Sequence, residues 1–266
     1  MLPKVPLCVS LAGIDADAVG ASQTPRGLIE WAGRHGARGV RLDASARGLR
    51  ARELERSGRR DLASLLRRLD LRFAGIDLWI PPQHFTDPAR SGRAIEAVTE
   101  TISLCSDLAT LAMHVPGRSV SIMLPRDADE AARAIQAAAE RAGVRVADHG
   151  EGAEPRSLPD GPIGVGLDAA ALLARSIDPA LEVSRMCGAS GSRLVSVRVT
   201  DTDGIGRIPI GSGQLDVSGL AASLAAAHGG RADAGEAVLD LRAVRDQAVA
   251  LVEGINTWEG TGIGSR

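Results

Sequence analysis

Four polar residues stand at or shortly past the carboxyl ends of short apolar runs: His149, Asp168, Arg198 and Asp240. As residue types they make a usable set. An imidazole and two carboxylates can move protons or ligate a divalent cation, and a guanidinium can hold an oxyanion or a hydroxyl-rich ligand. His149, Asp168 and Asp240 are therefore candidate catalytic residues and, equally, candidate metal ligands. Arg198 is a candidate for substrate binding. Arg207 and Asp201 join it from the glycine-rich stretch 201–213, as do Trp79 and His84 from the segment after the third apolar run. Arg207 suits an anionic or polyhydroxylated substrate. Trp79 can line a sugar pocket or fill core. His84 can titrate near neutral pH, or can be a solvated loop histidine.

The apolar runs that must position these residues number eight: Pro6–Leu11, Gly39–Leu42, Arg72–Leu78, Ser119–Leu124, Val144–Ala147, Gly164–Leu167, Leu194–Val199 and Ala237–Leu239. Amphipathic helical stretches separate most of them. Thr24-Pro25 opens the first helix, Ser57–Leu69 forms the second, Asp87-Pro88 starts a long third and Asp127 caps an alanine-rich fourth. Strand–helix alternation repeated eight times predicts a single (β/α)8 barrel, which places active sites at the carboxyl ends of its strands. Gly150–Pro162, rich in proline and glycine, predicts an irregular unit between strands five and six. The barrel is expected over residues 1–253, with a C-terminal surface extension over 254–266.

Alternation assigns side chains to the lumen, because neighbours along a strand face opposite ways. Val195, Val197 and Val199 belong against the helices, so Arg198 points inward. The same reasoning turns Arg41, Asp43, Asp77, Trp79, Arg145, His149, Asp168 and Asp240 inward. Buried charges are costly unless paired or bound to a ligand, and a barrel used purely as scaffold carries branched aliphatics there. Arg41 and Arg145 are expected to form salt bridges at the barrel floor.

Composition excludes several chemistries. Among 31 basic residues only Lys4 is lysine, and it precedes the first strand, so a Schiff-base enzyme is excluded. Tyrosine is absent, and three scattered cysteines suggest neither a disulfide framework nor a cysteine metal site. A net charge of −2 offers no field for nucleic acid. No stretch is apolar enough to span a bilayer, and Met1–Val5 lacks the pattern of a signal peptide, so the expected location is cytoplasmic. The stretch 201–213 matches neither a P-loop nor a dinucleotide fingerprint.

The strings Gly39–Ala44, Gly58–Leu62, Gly75–Pro82, Gly166–Asp168 and Ile208–Asp216 resemble, in order and spacing, the sugar phosphate isomerase/epimerase group of xylose isomerase-like barrels. The resemblance spans Gly36 to Val252. It implies a small sugar or sugar phosphate as partner and a place in carbohydrate metabolism, and it leaves homo-oligomerisation open. It also implies a divalent cation held by Glu, Asp, His and Glu from the last four strands. Carried over position by position, the first Glu falls at His149, the Asp is kept as Asp168, the His falls at Arg198 and the last Glu falls near Asp240. Arginine cannot ligate a cation, so the expected cofactor is none or one weakly held manganese, magnesium or zinc ion. Three readings remain: an isomerase or epimerase remodelled around His149, Asp168 and Asp240; a metal-free enzyme or binding protein in which Arg198 replaces the cation and pairs with the aspartates; and a structural or regulatory barrel.

Overall fold

The structure, a computed structural model, describes residues 5–114, 118–150, 161–188, 194–228 and 235–261. Eight parallel strands close a barrel: β1 (Leu7–Ser10), β2 (Gly39–Asp43), β3 (Arg72–Asp77), β4 (Ser119–Ile122), β5 (Arg145–Asp148), β6 (Ile163–Asp168), β7 (Leu194–Val199) and, beyond a small hairpin, β10 (Glu236–Leu239), which returns to pair with β1. The hairpin, β8 (Asp201–Thr202) with β9 (Arg207–Ile208), rises from the end of β7. Around the barrel lie α1 (Pro25–Arg34), α2 (Arg56–Arg68), α3 (Ser91–Leu111), α4 (Asp129–Ala142), α5 (Ala169–Leu173), α6 (Pro179–Gly188), α7 (Val217–His228) and α8 (Gln247–Gly260). No described helix is long and apolar enough to cross a membrane.

Local chemistry explains several boundaries. The Thr24 hydroxyl accepts from the Gly27 N–H, and Pro25 occupies the first turn, where a missing N–H costs nothing. Gly143 ends α4 in the left-handed conformation. Three expectations shift. The third helix begins at Ser91 rather than Asp87-Pro88, and Ala128, not Asp127, precedes α4 without a side-chain cap. The boundary expected after residue 253 falls inside α8, whose Gly254 and Trp258 are buried. Trp258 Nε1 donates to the Val5 carbonyl at 3.0 Å, so this stretch belongs to the barrel. Of the irregular segment between β5 and β6, residues 151–160 lie outside the described set, and no helix is present there among the described residues.

The helix side of the strands is an aliphatic core, but the lumen is ionic. Arg41, Asp77 and Arg198 are wholly buried. Arg41 Nε donates to Asp77 Oδ1 at 2.8 Å, its Nη1 to the Ala74 carbonyl at 2.6 Å and to Ser119 Oγ at 2.7 Å, and its Nη2 to the Ile76 carbonyl at 3.0 Å. Glu236 Oε2 also accepts from Arg41 at 3.1 Å, while Glu236 Oε1 accepts from Arg72 at 3.0 Å. From the other side Arg198 grips both oxygens of Asp77, which the Ser10 hydroxyl also reaches. Charges thus alternate through the barrel: Arg72, Glu236, Arg41, Asp77, Arg198. Arg41 belongs to a floor ion pair as expected. Arg145 Nη2 donates to the Leu194 carbonyl at 2.9 Å. Burial, followed by the nearby Glu236 charge, pushes the Cys8 thiol up to about 12, so it adds no negative charge here.

Gly75 makes this packing possible. Its φ of +116° is open to few side chains, and a Cβ there would stand 2.7 Å from Arg41 Nη1 and 2.9 Å from Ser119 Oγ. Gly75→Ala should therefore lower the unfolding free energy by more than about 3 kcal/mol in urea titration. Gly92→Ala on α3, where a Cβ meets nothing within 4 Å, should change it by less than about 1 kcal/mol. Equal effects would refute the steric account.

Burial alone would raise the Asp77 carboxyl, but Arg198 and Arg41 together hold it far below the ordinary carboxylate range. A depressed carboxyl contributes stability that is complete above its unfolded value of about 3.9 and is lost only as pH falls toward the folded value. Asp77→Asn should cost about 3–5 kcal/mol at neutral pH, because it leaves buried Arg198 without its carboxylate and Arg41 with Glu236 alone. That deficit should shrink in urea titrations below about pH 4. A neutral-pH loss under about 1 kcal/mol would show that the pairs are not holding the lumen together.

Candidate functional site

The ladder ends at Arg198, whose position on β7 follows from the outward Val195, Val197 and Val199. Its guanidinium carbon lies 5.0 Å from the centroid of the Trp79 ring, and that of Arg242 lies 4.0 Å away. Both distances suit cation–π attraction. Trp79, just past β3, meets His149, just past β5, edge to face with ring centroids 5.5 Å apart. Gly166 on β6 leaves room for that imidazole: a Cβ there would lie 2.6 Å from His149 Cε1. Burial, and then the Arg198 charge, lower the His149 pKa well below its ordinary value, with Asp77 opposing. The ring is therefore neutral at physiological pH, and neither nitrogen has a partner among the described residues.

A second group closes over the first. Asp240, at the end of β10, receives Arg242 Nε on both oxygens at 2.9 and 3.0 Å, and Arg242 Nη2 as well. Burial would raise the Asp240 carboxyl, but the Arg242 hydrogen bonds and the Arg198 charge hold it below its ordinary value. Arg207, on β9, pairs with Asp168 through Nη2 and stands 3.6 Å from Asp240 Oδ2 through Nη1. Asp168 turns its other oxygen to the Ala171 N–H at 3.1 Å, capping α5. Asp201, fully buried, accepts from the backbone N–H groups of Gly211, Gly213 and Leu215 at 3.1, 2.9 and 2.9 Å, and from that of Thr202 at 2.8 Å. Its carboxylate therefore shapes the loop that carries Arg207.

The four strand-end residues do gather at one end of the barrel, but not with the expected partners. Arg198 is held by Asp77, while Asp168 and Asp240 are held by Arg207 and Arg242. Trp79 sits at the centre of the cluster. Asp201 is a loop organiser in this arrangement. His84 lies in a 3-10 turn (Pro82–Phe85), with its Nε2 2.9 Å from Arg90 Nη1. Sequence reasoning overlooked Arg242. The Asp240-Leu241-Arg242 spacing, which lets i and i+2 side chains share a face, was the signal that could have found it.

The donors do not fit a divalent cation. No group of three His, Cys, Asp or Glu residues suited to a metal occurs among the described residues. Arg242 and Arg207 engage Asp240, and Arg207 with the α5 N-terminus engages Asp168, so exchanging Arg198 alone would free neither carboxylate.

No protein-family model and no curated protein matches the chain. Solved structures do match over nearly the whole length. An L-ribulose 3-epimerase aligns with TM-score 0.68 and 15% identity, covering 97% of this chain and 94% of the other. A Methylomonas sp. D-allulose 3-epimerase in complex with D-allulose aligns with TM-score 0.64 and 15% identity, covering 98% and 99%. The IolI protein with a bound zinc atom aligns with TM-score 0.62 and 14% identity, covering 96% of each chain. The chain therefore shares the eight-stranded parallel barrel fold of these three proteins.

Proposed function

We propose that this barrel takes a small, oxygen-rich molecule of the sugar class at its carboxyl-terminal mouth without a metal ion, with guanidinium groups in place of the cation. The observation that carries this is a set of buried nitrogens at the mouth that make no hydrogen bond among the described residues: Trp79 Nε1, both His149 nitrogens, Arg198 Nε and Arg207 Nη1, the last 3.6 Å from Asp240 Oδ2. Buried polar atoms left unpaired cost about 1–3 kcal/mol each, a cost that a ligand rich in oxygen removes. Similarity in fold to proteins whose names specify L-ribulose and D-allulose supports a sugar or a sugar derivative.

One observation favours chemistry as well as binding. His149 is a neutral imidazole with no hydrogen-bond partner among the described residues, and it lies against the same Trp79 ring as the fixed Arg198 cation. Those are the parts needed to remove a proton beside a carbonyl while Arg198 stabilises the resulting enediolate oxygen, the step common to sugar isomerisation and epimerisation. Asp168 and Asp240, both ion-paired, hold Arg207 and Arg242 in place. They are the weaker candidates for acid–base work.

Thermal denaturation against a panel of aldoses, ketoses and their oxidised and phosphorylated derivatives tests the proposal. At least one class should stabilise the protein in chelator, by about 2.7 kcal/mol when ligand reaches 100 times its Kd. Stabilisation that disappears with chelator and returns with manganese would restore a metal-centred site. In the free protein, nitrogen NMR should find the His149 ring neutral at pH 6, and a protonated ring there would remove it as a base.

A further inference from the structure

Resting on that reading, we infer that Asp43 and Arg242 form a hydroxyl subsite at the mouth. One hydroxyl of the sugar donates to Asp43 Oδ2 and accepts from Arg242 Nη1.

Strand order places the two groups together. Around the barrel β10, β1, β2 and β3 are consecutive neighbours. Arg242 leaves just past the end of β10, and its stem crosses the chain after β1 at Gly13, where a Cβ would stand 2.6 Å from Arg242 Cγ. Its guanidinium carbon arrives 4.0 Å from the centroid of Trp79, which follows β3. The side chain therefore reaches over the end of β2, whose last residue is Asp43. Asp43 stands two positions after Arg41, on the same lumen face, and pairs in register with Asp77. The electrostatics agree. Burial raises the Asp43 carboxyl and the two Ser45 hydrogen bonds oppose it, while Asp77 raises it further and Arg242 lowers it.

Each group is fixed on one side and open on the other. Asp43 Oδ1 accepts from the Ser45 N–H at 2.8 Å and from the Ser45 hydroxyl at 2.6 Å, whereas Oδ2 makes no hydrogen bond among the described residues. Arg242 commits Nε and Nη2 to Asp240, whereas its Nη1 makes no hydrogen bond among the described residues. Neither open atom is buried, and the Arg242 side chain is 24% exposed. No ion pair joins Arg242 to Asp43 among the described residues, so a gap remains for a small bridging group.

Charge selects that group. The ladder and the mouth hold five arginines and, before Asp43 is counted, four carboxylates; Asp43 is the fifth. Buried Asp201 is answered separately by backbone N–H groups. A carboxylate or phosphate entering the gap would meet a balanced set and the Asp43 charge itself. A hydroxyl, donor and acceptor at once, completes both open groups and adds no charge.

The test titrates two uncharged ketoses, D-allulose and L-ribulose, calorimetrically in chelator. Asp43→Asn preserves the shape and an oxygen for Ser45, but turns the open acceptor into a donor. At least one ketose should bind the wild type, and Asp43→Asn should weaken it about ten-fold or more, the factor expected of a hydrogen bond to a charged group. The variant should unfold in urea no earlier than the wild type, because burial disfavours the charged form of Asp43. Asp61→Asn, on exposed α2 where Asp61 pairs with Arg26, should leave Kd within about two-fold. Equal binding by wild type and Asp43→Asn would overturn the subsite and leave the sugar site standing. Binding of sugar acids or sugar phosphates alone would also overturn it, while the wider reading survives. Failure of every class in the thermal panel, these ketoses included, would remove both.

Discussion

A single carboxylate, that of Asp77, receives two guanidinium groups in the middle of the barrel, and the remaining polar architecture is arranged around that sharing. Two arginines converging on one aspartate repel each other, and each loses hydration on burial, so the arrangement persists only where most of the remaining lone pairs and N–H groups are answered. The chain answers them with groups that add little bulk: Ser10 and Ser119 hydroxyls, and the carbonyls of Ala74 and Ile76. It also omits a side chain at Gly75. The lumen of this barrel is thus a hydrogen-bonded lattice where aliphatic layers would ordinarily stand.

Rigidity passes upward from that lattice. Because both Arg198 amino groups are committed to Asp77, the guanidinium has one orientation, and the Trp79 ring packs against it. Trp79 in turn fixes the edge on which His149 rests, with Gly166 clearing the space behind. Each group at the mouth is located by the one beneath it, which is how a site is held to the tolerances that recognition needs. The upper pairs differ in kind. Arg207 rides on a two-stranded hairpin held by Asp201, so its hold on Asp168 and Asp240 can change without disturbing the lumen.

Much of this was legible in the sequence, and the failures have causes. Strand positions and lumen-facing residues follow from period-2 alternation, which is why Arg198, Asp77 and Asp168 were placed correctly. Partnership is not a property of alternation. It depends on how far each strand is shifted along its neighbour, and that shift brought Asp77 of β3 across the barrel to Arg198 of β7. The hidden role of Asp201 has the same origin, since its acceptors are satisfied by backbone N–H groups up to fourteen residues away. The boundary expected after residue 253 falls within α8, which runs on through two glycines to Gly260. There Gly254 lets α8 approach Leu239, with its Cβ position 3.0 Å from that side chain.

The seam between β1 and β10, fastened by Trp258 to Val5, bears on how the polypeptide is born. The first strand of the barrel has its second neighbour about 230 residues further along the chain. During synthesis at about 5–20 residues per second, β1 therefore waits on the order of tens of seconds with one edge unpaired. Ring closure, and with it the final alignment of Glu236 beneath Arg41, must follow emergence of β10 from the ribosome. The nascent barrel is an open sheet bearing unmatched arginines. That state favours handling by chaperones and would be sensitive to truncation at its far end.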